Sequence, residues 1–416
     1  MSVVAASQER EHTTAYHIRN LVFFMAVIAM NYTLARPSPV DFLFITAAAL
    51  SIFVNQTIRV SYLILVILLT VWMFSYTFAS IPFLDEQVVG DEMFKKTFVV
   101  SLGLIAGYVS SSWGAREYHQ FLYVYIASAL IAASIGIIGF ILNIPLVLWD
   151  GRAAAFIDDP NMYGSFLLPA VIGCVYLMGN GMGKKWLLVP VTLWLMLGVL
   201  FSFSRAATVG LSACLIFYIS YLNRGNILRL IAYVVTFITV GALIFGSAFL
   251  IAPNFSSKFF ERATVAKSYD LGREGRYARY ARSIPMILDN PVGIGIVQQE
   301  KIFTEPIHNS FLSSFLNYGW SGGIAWLTIF FGSIGLSIWN YLTTRSQVPI
   351  LLLFGFLSPV LCTLLHEGEH WRHLWLWMGL VWGFNSWNFV VPVIHRLTPT
   401  PLRVTYLPRE PVPATR

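Results

Sequence analysis

VSYLILVILLTVWMFSYTFA, residues 60–79, runs without a charged side chain. A helix rising about 1.5 Å per residue needs roughly 20 such residues to cross the ~30 Å hydrocarbon core of a bilayer. With no polar face to offer water, the stretch reads as a membrane span. Working outward, similar stretches lie near 18–35, 38–55, 97–112, 119–143, 162–179, 186–203, 206–222, 228–251, 309–342, 347–365 and 374–393. The whole chain is 57% hydrophobic and 11% charged, with mean hydropathy +0.68. One soluble core of 416 residues could not hide that much apolar surface. The expected fold is an all-α polytopic membrane protein with about 12 transmembrane helices. The tenth stretch is too long for one crossing, so its first part, His308 to Gly319, is expected to form a half-buried or steeply tilted entry helix.

Charge separates function classes by position more than by sum. The net charge is +7, but the basic residues sit in short loops between spans and not in one patch, which argues against nucleic acid as a partner. Cys174, Cys214 and Cys362 all fall inside apolar runs and read as free buried thiols, neither a disulfide frame nor a Cys-based zinc site. The polar segment Met1 to Asn20 lacks the pattern of a cleaved signal peptide.

Arg59, Arg116, Lys184, Lys185, Arg224 and Arg345 lie in short loops on one side, which becomes cytoplasmic once the long 252–308 segment is discounted. The longer loops, 80–96, 144–161, 252–308 and 366–373, then all face outward, and long loops are where function concentrates. The expected organisation is a single membrane domain over 1–416, with a periplasmic loop of amphipathic helices at 252–308 and a cytoplasmic tail at 395–416.

Arginines stand where spans should end on that outer face. Arg205 lies in Phe201-Ser-Phe-Ser-Arg, between two spans with almost no loop. It reads either as an interfacial anchor reaching headgroups or as a phosphate clamp, with Ser202, Ser204 and Thr208 adding hydroxyl donors. GREGRYARYARSIPMILDNPVGIG, residues 272–295, places Arg273, Arg276, Arg279 and Arg282 at every third position. On a helix, neighbours in that series lie together while the set fans over half the surface. Ile284, Ile287 and Leu288 continue its apolar side, and Asn290-Pro291 ends it. The alternatives are a basic helix lying on anionic lipid and a diphosphate clamp, for which the planar guanidinium fork is suited. Arg152 and Asp158-Asp159-Pro160-Asn161 precede the sixth span as a helix start, with capping as the plain reading.

His308 opens the tenth span on the outer face, as a capping residue or as a general base. The string His366-Glu367-Gly368-Glu369-His370 matches HExxH, which on a helix places two imidazoles one turn apart with a carboxylate as base, and His373 offers a third ligand. An intramembrane zinc metalloprotease is therefore one competing class. Against it, Gly368 weakens the helix and no acidic third ligand is evident, so a polar loop whose His370 and Arg372 bind sugar hydroxyls is the alternative. A transporter is a third class, but spans two to nine carry almost no mid-membrane charge for an ion path.

Four stretches together resemble a known family: Arg152 to Asn161, Ser202-Phe-Ser-Arg205, Gly275-Arg276 running to Asn290-Pro291-Val-Gly293-Ile-Gly295, and His308-Asn309-Ser310 leading to Asn317-Tyr-Gly319-Trp-Ser-Gly322. In order and in common outer face they resemble the O-antigen ligase and polymerase superfamily of bacterial polysaccharide assembly. The resemblance implies a GT-C-like, metal-independent and cofactor-free glycosyltransferase in the bacterial inner membrane. It implies transfer of a glycan from an undecaprenyl-diphosphate carrier at the periplasmic face. A ligase uses a hydroxyl of the lipid A–core as acceptor; a polymerase uses another carrier-linked unit. Compact size and one dominant outer loop favour the ligase. In family terms, Arg205 and Arg276 match the diphosphate-contacting arginines and His308 the essential histidine, the expected catalytic set. The expected substrate-binding residues are Arg152, Asn161, Arg273, Arg279, Asn309, His370 and Arg372. The histidine-rich 366–373 stretch departs from the family pattern.

Overall fold

The computed structural model describes residues 13–34, 37–252, 254–263, 272 and 275–389. Arg273 and the 395–416 tail lie outside the described residues. The chain is a bundle of helices: α1 (Thr14–Ala29), α2 (Pro39–Leu50), α3 (Val60–Ser80), α4 (Gln87–Ser110), α5 (Ala115–Ile141), α6 (Pro160–Gly179), α7 (Lys185–Phe201), α8 (Arg205–Leu222) and α9 (Ile227–Ile251). Three short helices follow, α10 (Phe255–Ala263), α11 (Arg276–Asp289) and α12 (Gln299–Ile302), then α13 (Ser310–Thr344), α14 (Val348–Cys362) and α15 (Arg372–Gly383).

A helix falls on every span expected from hydropathy, and among the described residues seven helices (α3 to α6, α8, α9 and α13) are long and apolar enough to cross a membrane. Two boundaries differ from expectation by about ten residues. Helix α4 begins at Gln87, so most of the expected 80–96 loop is helical. Its first turns carry Asp91, Glu92, Lys95 and Lys96, which lower hydropathy without breaking a helix, and Lys95 pairs with Glu92 one turn away at 2.6 Å. Helix α15 stops at Gly383, and a 3₁₀ turn capped by Asn385 follows.

The long tenth stretch divides as its length requires. Gly319 adopts φ 71°, ψ −171° inside α13, separating an entry helix from the long helix that begins at Trp320. Every residue of the entry helix is buried or half-buried.

Helices in a bilayer gain little from hydrophobic burial against one another, so close backbone approach carries more of the association. The α4–α15 crossing follows this rule. Gly103 and Gly107 of α4 face Gly379 and Gly383 of α15, so both helices present small residues four apart. A Cβ at Gly103 would stand 2.9 Å from the Trp375 carbonyl, and one at Gly379 or Gly383 would overlap backbone of α4. Helix α6 is the most enclosed span, with 83% of its most apolar window buried, whereas α9 buries none of its own.

Arg19 lies inside α1 and is fully buried. It donates to Gln56 Oε1 and Ser112 Oγ, both at 2.7 Å, and to Asn20 Oδ1. The 144–161 loop holds an element that hydropathy did not announce, a two-stranded hairpin pairing Leu148 with Ala153 and Trp149 with Arg152. Its turn residues, Asp150 (φ 50°) and Gly151 (φ 64°), are both left-handed, as a two-residue hairpin turn requires.

Candidate functional site

The hairpin fixes Arg152, which is 7% exposed. Its Nε donates to the Ser202 carbonyl at 2.8 Å and its Nη2 to Asn161 Oδ1 at 3.0 Å. Asp159 caps α6, accepting from the Asn161 amide at 2.8 Å. One guanidinium therefore joins the hairpin, the start of α6 and the α7–α8 turn.

That turn carries Arg205. Phe203 is left-handed (φ 48°), which reverses the chain within three residues and makes Arg205 the first residue of α8. The neighbouring hydroxyls, expected from sequence as anion donors, are engaged within the turn itself. Ser202 Oγ donates to Val199 O, Ser204 Oγ caps the Ala207 amide, and Thr208 Oγ1 donates to Ser204 O. Building so tight a turn leaves backbone groups that these side chains satisfy. Arg205 itself is half-buried beside them.

Helix α11 sorts its arginines. Arg276 and Arg279 are buried at 8% and 1% exposure, while Arg282 is exposed with its guanidinium 5.2 Å from the Phe303 ring centroid. Arg279 Nη1 pairs with Glu305 Oε2 at 3.1 Å, and its Nε and Nη2 find no hydrogen-bond partner among the described residues. The helix is pinned at its far end. The Asn290-to-Gly295 turn docks on the Gly319 kink through Ile294 N to Leu316 O (2.9 Å), Gly295 N to Asn317 O (3.0 Å) and Trp320 N to Pro291 O (2.9 Å). Gly293 (φ 93°) and Gly319 are glycine because a Cβ on either would strike the other's backbone or its flank. Two of the stretches singled out in the sequence are thus one joint.

His308 precedes α13 with a left-handed backbone (φ 57°). The helix cap is Asn309: its Oδ1 accepts from the Phe311 and Leu312 amides at 3.0 Å and its Nδ2 donates to Leu364 O at 3.0 Å. Tyr280 OH donates to the His308 carbonyl at 3.1 Å, tying α11 to the same point. The half-buried imidazole makes no hydrogen bond among the described residues. Loss of water and the charges of Arg276 and Arg279 push its pKa down to about 4, against the smaller opposing pull of Glu305 and Asp159. The ring is neutral at pH 7, and the charges of these four residues act on it.

The 363–371 segment overturns the zinc-protease alternative. It is a succession of turns and bends and not a helix, so His366 and His370 do not share a helical face. His373 turns into the bundle, with Nε2 3.0 Å from Ser165 Oγ. Glu369 is buried and receives Lys96 at 2.7 Å, Ser314 Oγ at 3.0 Å and the Tyr318 hydroxyl. Gln299 Nε2 donates to Glu367 at 2.8 Å. Among the described residues, no cluster of three His, Cys, Asp or Glu is arranged to hold a metal. His370 is exposed, and Arg372 has a structural engagement, a buried ion pair with Asp41 at 3.0 Å.

Instead of a protease helix, the segment brings His366 to His308, with ring centroids 5.7 Å apart. Burial pushes the His366 pKa well down, with His308, Arg276, Arg152 and His370 adding to it. The structure thus gathers Arg152, Asp159, Arg276, Arg279, Glu305, His308 and His366, with Arg205 joined through the turn that Arg152 holds. Glu305 and His366 were missed in the sequence. Glu305, three residues before His308, was a legible candidate; His366 is 58 positions away and was read only as part of HExxH.

Residues 190–327 match the family model of the O-antigen ligase. That match supports the O-antigen ligase and polymerase family for this chain. It covers Arg205, the α11 arginines, the Gly293–Gly319 joint and His308, while Arg152, Asn161 and the 363–373 segment lie outside it. Among curated proteins, none matches the chain.

Proposed function

We propose that the protein is an O-antigen ligase of the inner membrane, transferring glycan from an undecaprenyl-diphosphate carrier to a lipid A–core hydroxyl at the periplasmic face. The observation that carries the reading is the neutral imidazole of His308 set among Arg276 and Arg279, within the segment that matches the family.

The anomeric carbon of the lipid-linked sugar bears the diphosphate, and the acceptor hydroxyl attacks from the opposite face, inverting the centre in one step. His308, neutral at pH 7, takes the hydroxyl proton. The hydroxyl oxygen bonds to the anomeric carbon as the bond to diphosphate oxygen breaks and its electron pair leaves with the phosphate. Arg205 and Arg276 offset the charge that develops there, and Arg279 offers two further N–H donors. Preorganised guanidinium groups supply the electrostatic role without a metal or cofactor. Arg152 and Asn161 hold the turn that presents Arg205.

The polymerase reading shares this chemistry and differs only in acceptor. Purified protein given lipid-linked O-antigen together with lipid A–core should form glycan-bearing lipid A–core. Longer carrier-linked chains and no lipid A product would establish the polymerase, and no transfer to either acceptor would refute both.

A further inference from the structure

We infer that His366 is a second catalytic imidazole, which donates a hydrogen bond to the acceptor hydroxyl while His308 receives that hydroxyl's proton. The inference rests on the glycosyl-transfer reading above and adds to it a residue from outside the matched segment.

Geometry carries the argument. The two rings stand 5.7 Å apart at 59°, too far for the parallel contact of stacked rings. Ring nitrogens lie roughly 1 Å from a centroid, so nitrogens set off the line between the centroids can stand some 4–5 Å apart, the span of one hydroxyl oxygen hydrogen-bonded at about 2.8 Å to both. Neither imidazole has a hydrogen bond to a protein group among the described residues, so each ring retains a nitrogen for substrate.

The placement is built, not incidental. Five hydrogen bonds stitch residues 363–368 to the start of α13 and to α11: Ser310 N to Thr363 O, Ser310 Oγ to His366 O, Gly368 N to Ser310 Oγ, Asn309 Nδ2 to Leu364 O and Tyr280 OH to Leu364 O. Gly368 is required there, because a Cβ would collide with Thr363 and press on Trp371. Burial, aided by His308, Arg276 and Arg152, holds the second ring neutral, as burial with Arg276 and Arg279 holds the first. A neutral imidazole carries one N–H donor and one acceptor. One ring therefore accepts the proton while the other orients the oxygen lone pair toward the anomeric carbon. The positive surroundings also argue against a cation between the rings and for an oxygen nucleophile whose partner is an anion.

The test uses the full-length purified protein with lipid-linked glycan donor and lipid-borne acceptor, measuring transfer at varied acceptor concentration and donor binding separately. His366→Ala should lower transfer about 10²-fold and raise the KM for acceptor, with donor binding unchanged. His366→Gln, which keeps an N–H donor, should recover part of the loss, a rescue that a merely structural role would not show. Wild-type transfer rates in His366→Ala would overturn the inference alone. Donor binding lost in step with transfer would place His366 in the diphosphate clamp and equally overturn it. No transfer by the unaltered protein would overturn the glycosyl-transfer reading and this inference with it.

Discussion

Gly319 and Pro291 meet backbone to backbone. A Cβ on the glycine would overlap the proline carbonyl, and the adjacent amide of Trp320 donates to that oxygen at 2.9 Å. The arginine-bearing helix α11 and the histidine-bearing entry to α13 are held in register at this point.

Gly319→Ala should therefore cost about 1–3 kcal/mol from backbone strain alone, and more from the overlap. Thermal unfolding in detergent would read the loss, and transfer should fall by at least as much as the folded fraction. A variant as stable and active as the parent would show that the joint does not set the site.

Removing a clamp residue should separate chemistry from folding. Arg276→Ala is expected to lower transfer about 10²–10³-fold, in line with the loss of one preorganised charge donor, with membrane insertion and unfolding temperature little changed. Unchanged activity would remove Arg276 from the mechanism.

The pH profile follows from the depressed His308 pKa. A base works deprotonated, and this imidazole is deprotonated above about pH 4 in the substrate-free protein. Activity measured as kcat/KM should thus be level through the neutral range and fall only near pH 4. Bound diphosphate neutralises the arginines that depress the ring, so the acid limb of kcat should lie at higher pH. An acid limb in kcat/KM near 6.5 would mean that neither burial nor the arginines depress this ring.

Chelation tests the electrostatic assignment from another side. Transfer should persist in excess EDTA, because guanidinium groups take the leaving-group charge. Inhibition reversed by added divalent metal would reassign that role.

Lys96 and Glu369 form a buried pair whose members depend on each other. Lys96→Met should destabilise the protein by about 3–5 kcal/mol by stranding the carboxylate, and pairing it with Glu369→Gln should recover much of the loss. Additive effects in the double variant, read by denaturation, would show the pair to be uncoupled.

The helices were legible because apolar runs of span length leave few alternatives, and the division at Gly319 was legible because the tenth run exceeded one crossing. What escaped was set by contacts distant in sequence. The hairpin at Asp150-Gly151 carried a local signal that was passed over. The helical start of α4 was hidden by charges that hydropathy treats as loop. The positions of Arg152, Arg205, Arg276 and His308 along the chain suggested an anion site, but their burial depends on the turn at Phe203 and the joint at Gly319. His366 matched a motif whose helical context does not exist here, and only three-dimensional proximity to His308 gives it another meaning.

At the crossing of α4 and α15, backbone lies against backbone at Gly103, Gly107, Gly379 and Gly383, so a larger residue at any of the four must push apart two helices that otherwise act as one rigid unit.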